Sequence, residues 1–115
     1  MLEDAAGIRR VVLACGTVDL RKGIDGLAQI IGAKYGQNPF EKGTLFLFCG
    51  RRSDRLKGLL WMGTGFLLMY KRFEDGRMSW PRNTECRASN YNFQRLRSRV
   101  KIKYPFVKCV SESVL

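Results

Sequence analysis

The sequence predicts an α+β domain: one helix packed on a mostly antiparallel sheet, with a C-terminal three-stranded meander. Three observations carry that expectation. Apolar residues recur at helical spacing in the first third of the chain. The run TLFLFC at 44–49 lacks polar alternation, as a strand covered on both faces does. Two glycine-marked turns then cut the next stretch into short strand-like runs. With 115 residues the chain is long enough for one domain and too short for two ordinary ones, and 45% hydrophobic residues suffice for a core.

The first element is RVVLAC at 10–15, a β-branched run closed by Gly16 and read as a buried strand. Thr17, Val18 and Asp19 then offer a helix start. Leu20, Ile24, Leu27, Ile31 and Tyr35 follow at steps of four, three, four and four, which predicts a helix over 19–34 with one buried stripe. Gly36 suits the position just past its end, and Asn38-Pro39 prevents continuation. After the strand at 44–49 comes a polar turn, Gly50-Arg51-Arg52-Ser53-Asp54-Arg55. RLKGLLWM at 55–62 and FLLMYKRF at 66–73 flank the hairpin turn Gly63-Thr64-Gly65. Glu74-Asp75-Gly76 predicts a second hairpin into a strand at 77–80, which Pro81 ends. Residues 1–84 are therefore expected to form the domain.

Residues 85–115 read as a basic tail. No acid lies between Glu85 and Glu112, and Arg95, Arg97, Arg99, Lys101 and Lys103 alternate with Leu96, Val100 and Ile102 among the residues between. That pattern fits an edge strand with one basic face, and equally a solvated, partly disordered tail.

Charge is unevenly placed. Residues 1–50 hold six Lys/Arg and five Asp/Glu, whereas residues 51–115 hold fifteen and five, within a total net charge of +11. Such a field attracts polyanions, nucleic acid above all. An anionic membrane is the weaker partner, because no amphipathic helix sets bulky anchors opposite basic residues. The apolar runs are too short to cross a bilayer, and the acidic start Met1-Leu2-Glu3-Asp4 precedes no apolar stretch of the secretory kind. The expected compartment is the cytoplasm. Four dispersed cysteines without a C-x-x-C pair, and no histidine, suggest reduced thiols. No metal or other cofactor is expected.

Three stretches resemble a known family. They are Gly16-Thr17-Val18-Asp19-Leu20-Arg21-Lys22-Gly23-Ile24-Asp25-Gly26-Leu27, then residues 45–57 (LFLFCGRRSDRLK), then Tyr70-Lys71-Arg72-Phe73 leading to Trp80-Pro81-Arg82. Their order and spacing over residues 8–84 resemble the small accessory protein, TnpB type and second reading frame, of the IS-sixty-six family of bacterial insertion sequences. The resemblance implies a protein assisting transposition beside a separate large transposase. It implies no chemistry of the chain's own.

The sharpest chemical signal is the turn at 50–55. Arg51, Arg52, Arg55 and the nearby Lys57 offer guanidinium and ammonium groups suited to phosphate, and the single acid Asp54 cannot neutralise them all. Asp54 would also order the turn by pairing with one arginine. Lys71, Arg72 and Arg82 lie beside aromatic residues, an arrangement that suits stacking next to backbone contacts, although those rings are also natural core residues of a small sheet. Arg21 and Lys22 complete the candidate DNA-binding set. Asp19 is read as a structural acid at the helix start.

Two-metal strand transfer needs several converging carboxylates, and here only Asp19, Asp25 and Asp54 sit on well-placed elements. Without histidine, Cys15 and Cys49 lack a base. A non-catalytic factor binding DNA at the element's ends, together with the transposase, is the expected function. The alternatives are a module that docks on the transposase and, less favoured, a metal-dependent nuclease. Neither the DNA sequence recognised nor the oligomeric state is legible.

Overall fold

Residues 7–82 and 107–111 are described by the structure, a computed structural model. The β-branched run forms β1 (Arg10–Ala14), with all but its first residue buried. The chain crosses over through α1 (Ile24–Ala33) and returns as β2 (Thr44–Cys49), buried along its whole length. β1 and β2 pair in parallel, with Val12 opposite Phe46 and Leu13 opposite Leu47. A parallel pair needs such a crossover, since no tight turn can join its strands. The hairpin then gives β3 (Arg55–Trp61) and β4 (Phe66–Arg72), each antiparallel to its predecessor. β5 (Val107–Val110) adds in parallel to the free side of β1. The sheet order is β4-β3-β2-β1-β5. One helix on a five-stranded sheet is the α+β architecture the sequence predicts.

The period-two rule sorts the sheet into two cores. On the helix side Val12, Ala14, Phe46, Phe48, Leu59 and Val110 meet Val18, Leu27, Ile31 and Tyr35. On the other side Val11, Leu13, Leu45, Leu47, Leu56 and Leu60 are covered by Ile8 and Met78, with Met69, Phe73 and Trp80 packed against them.

Three expectations are corrected. The helix starts at Ile24, not at 19. Asp19 spends its carboxylate on the Arg21 backbone N–H (3.0 Å), Lys22 N–H closes a turn on the Asp19 carbonyl, and Gly23 is extended, so 19–22 is a separate turn before the helix. Leu20 and Ile24 still pack on the helix-side core. At the other end Gly36 adopts φ 65 and terminates α1 as expected, with Gln37 N–H reaching back to the Ile31 carbonyl.

The second correction is that residues 77–80 form no strand. The three-stranded meander is β2-β3-β4, and the chain beyond Gly76 instead straps the face opposite the helix. Met78 N–H bonds the Ser53 carbonyl (2.7 Å) and the Trp80 indole N–H bonds the Ala14 carbonyl (2.9 Å). These contacts tie the strap to two different strand ends, which a hairpin return would not reach. The third concerns 85–115: β5 lies within the stretch read as tail, and its Val110 enters the core. The alternating basic run at 95–103 lies outside the described residues.

Candidate nucleic-acid interface

The parallel strands direct their C-terminal ends to one edge of the sheet, where the segment 15–22 leaves β1 and the turn 50–54 leaves β2. β3 begins and β4 ends at the same edge. Gly16 N–H holds the Pro81 carbonyl (2.9 Å) and Val18 N–H holds the Cys49 carbonyl (3.0 Å), so the strap and both loops are tied together. Between them lies a cavity of about 530 Å³, bordered by 17–21, by Gly50, Arg51, Arg52, Asp54 and Arg55, and by Tyr70.

The turn at 50–53 is tight. Ser53 N–H bonds the Gly50 carbonyl (3.2 Å), and Ser53 itself lies in the left-handed region at φ 58. Gly50 has no side chain because Leu20 closes over it: a Cβ there would stand 3.0 Å from Leu20 Cδ1. The turn is clamped from behind by Phe73 N–H on the Asp54 carbonyl and Met78 N–H on the Ser53 carbonyl, both 2.7 Å.

The candidate cations divide by partner. Arg21 folds back on Asp19 with Nε to Oδ1 at 2.9 Å and Nη2 to Oδ2 at 2.8 Å. That fork, followed by the backbone N–H of Arg21, holds the Asp19 carboxyl well below the usual carboxylate range and raises the arginine in return. Arg72 is tied to Glu74 (2.8 Å), and the bond raises its pKa. Arg55 faces Asp54 at 3.6 Å, with Arg55 Nε and Asp54 Oδ1 both buried and neither in a hydrogen bond. Lys57 donates to the Lys22 carbonyl (2.9 Å) and sits 6.0 Å from the Tyr70 ring centroid. Arg51 and Arg52 are exposed, and among the described residues neither has a carboxylate or hydrogen-bond partner.

Register decides which of the rest join them. Arg55 pairs with Arg72 and Lys57 with Tyr70, so these four share the helix side. Lys71 stands opposite Leu56 on the other face, with its ammonium 5.1 Å from the Phe73 centroid. Arg82 is exposed and follows Pro81 at the same edge. Lys22 is exposed just before α1. The site thus gathers Arg21, Arg51, Arg52 and Arg55 about the cavity, with Lys57 behind Tyr70, and leaves Lys71 on the far face.

Tyr70 joins the site beyond the cations singled out from the sequence. Phe73 and Trp80 pack on the far core, whereas Tyr70 is 52% exposed at the cavity wall. The signal was present in the alternation of β4, where Leu68, Tyr70 and Arg72 share one face. Cys49 offers no nucleophile there, since burial foremost pushes its thiol up to about 11. Among the described residues no three His, Cys, Asp or Glu converge as metal ligands, and no helix is long and apolar enough to cross a membrane.

Comparison with known proteins gives two kinds of match. A family model described as "IS66 Orf2 like protein" matches residues 9–104, beyond the point near Thr84 where the motif resemblance ended. In Sinorhizobium fredii (strain NBRC 101917 / NGR234) two relatives are similar. "Uncharacterized protein y4jC" is 33% identical over 81 residues, covering 70% of this chain and 68% of the relative. "Uncharacterized protein y4hO" is 39% identical over 72 residues, covering 63% and 62%. No solved structure matches.

Proposed function

Because the chain belongs to the IS66 Orf2-like family, which gives it an accessory role in an insertion sequence, we propose that it is a non-catalytic DNA-binding factor acting at the element's ends beside the transposase. The observation that carries this reading is the pair Arg51 and Arg52. They are held outward by a clamped turn, while the neighbouring arginines are internally matched to carboxylates. An unmatched guanidinium pair in a strongly basic half of the chain favours phosphate. Lys22 and Arg82 extend the same edge. Acting on DNA makes the cytoplasm its compartment. A non-catalytic role is supported by the acids at this edge, since Asp19 and Asp54 each face an arginine rather than each other.

A second reading, docking on the transposase, is favoured by a separate feature. At the opposite end of β3 and β4, Phe40, Trp61 and Phe66 stack with centroids 4.9–5.3 Å apart, and Phe40 is 53% exposed beside the exposed Met62. Exposed Phe40 and Met62 beside the half-buried Trp61 and Phe66 suit a protein contact.

Binding of the purified chain to duplex DNA from the element's ends, without transposase, separates the two. Saturable binding that weakens with salt supports the DNA-binding reading. Binding to transposase alone, with no affinity for DNA at low salt, overturns it.

A further inference from the structure

We propose that the cavity at the carboxyl edge of the sheet takes an unpaired nucleotide of a DNA strand. This deepens the DNA-binding reading and rests on it. The cavity of about 530 Å³ falls within the about 300–1,000 Å³ of ordinary small-ligand sites, which is ample for one base with its sugar and phosphate. A fully paired duplex would not use it, because paired bases expose only their edges in the grooves.

The walls match the parts of a nucleotide. Tyr70 presents a half-exposed ring on an edge strand, and Lys57 braces it. A base released from its stack gains a stacking partner there, which a paired base does not. Asp54 also borders the cavity, where its carboxylate faces Arg55. Arg51 and Arg52, at the mouth, have no internal carboxylate and suit the phosphates on either side of that base. A nucleotide within a strand has a phosphate on each side, one for each of these exposed arginines.

The test uses the full chain and three probes of identical sequence: a paired duplex, the same duplex with one bulged nucleotide, and the single strand. The wild-type chain is expected to bind the bulged and single-stranded probes at least several-fold more tightly than the paired duplex. Tyr70→Leu keeps bulk and removes the ring. It should lower affinity for the unpaired probes by about five- to 150-fold, the range for loss of one base–aromatic stack, and leave the paired duplex unaffected. Tyr70→Phe should retain the preference. Equal wild-type affinity for all three probes overturns the nucleotide pocket while leaving DNA binding intact. Displacement of the bulged probe by a free deoxynucleoside monophosphate at equal concentration overturns the assignment to a strand, since a free nucleotide would then fill the cavity as well. No binding to any probe overturns both readings. Should Tyr70→Leu fail to fold, the wild-type ratio between probes still decides.

Discussion

Arginines that border one cavity have different fates, and the difference lies in their nearest acids. Arg21 is 91% exposed yet chelated by Asp19, whereas Arg51 and Arg52 have nothing to fold back on. Replacing Asp19 by Asn removes a negative charge and releases a guanidinium at the cavity rim. The Asp19→Asn chain should therefore bind polyanions more tightly than wild type, read as a lower Kd for DNA at fixed salt; a weaker complex would show that the Asp19–Arg21 fork itself shapes the site. The same fork has a pH signature. A carboxyl depressed on folding contributes stability in full above about pH 4 and loses it as pH falls through its lower folded value. The NMR titration midpoint of Asp19 should lie well below that of an ordinary aspartate. The sequence showed the acid and its basic neighbours but could not show which would pair, because an i to i+2 fork depends on a turn that helical spacing concealed.

Among the elements, β1 and β2 were legible as apolar runs because both their faces are buried, and β3 and β4 because glycine-marked turns bound them. β1, β2, β3 and β4 fall within a residue of the expected runs. The helix was legible in its stripe and stop, not in its start, since Leu20 keeps the spacing of a helical residue while sitting in a turn over Gly50. Leu27 is fully buried between α1 and the sheet, so Leu27→Ala should destabilise by about 2–5 kcal/mol in denaturant unfolding. A change below about 1 kcal/mol would mean that the helix docks loosely. The turn Glu74-Asp75-Gly76 points to a strand at 77–80, and the alternation of Met78, Ser79 and Trp80 fits a strap equally well. Only the tertiary bonds to Ser53 and Ala14 reveal the other use of that alternation. In β4, register places Arg72 on the face of Arg55 and Lys57, and Lys71 on the other. The candidate site was thus readable as a list of cations but not as a cavity, whose walls come from three segments distant in sequence.

At the scale of the molecule, the parallel crossover collects the ends of four strands at one edge, and the basic half of the chain supplies most of the charge there. β5 completes the sheet on the far side of β1, with Cys15 N–H on the Val110 carbonyl (2.9 Å). A chain ending at residue 106 should unfold at a lower temperature, since β1 loses that partner and the core loses Val110; an unchanged midpoint would mean that β5 adds nothing. The central claim is that unmatched arginines on the clamped turn bind DNA. Its most direct test is the salt dependence of duplex binding for wild type and for the double variant Arg51→Ala, Arg52→Ala. Each phosphate contact contributes a slope of roughly −0.9 in log K against log salt. The account predicts that the double variant binds more weakly, with a slope shallower by up to roughly 1.8 if both arginines meet phosphate, and melts at nearly the wild-type temperature. Wild-type affinity and slope in a folded double variant would contradict it.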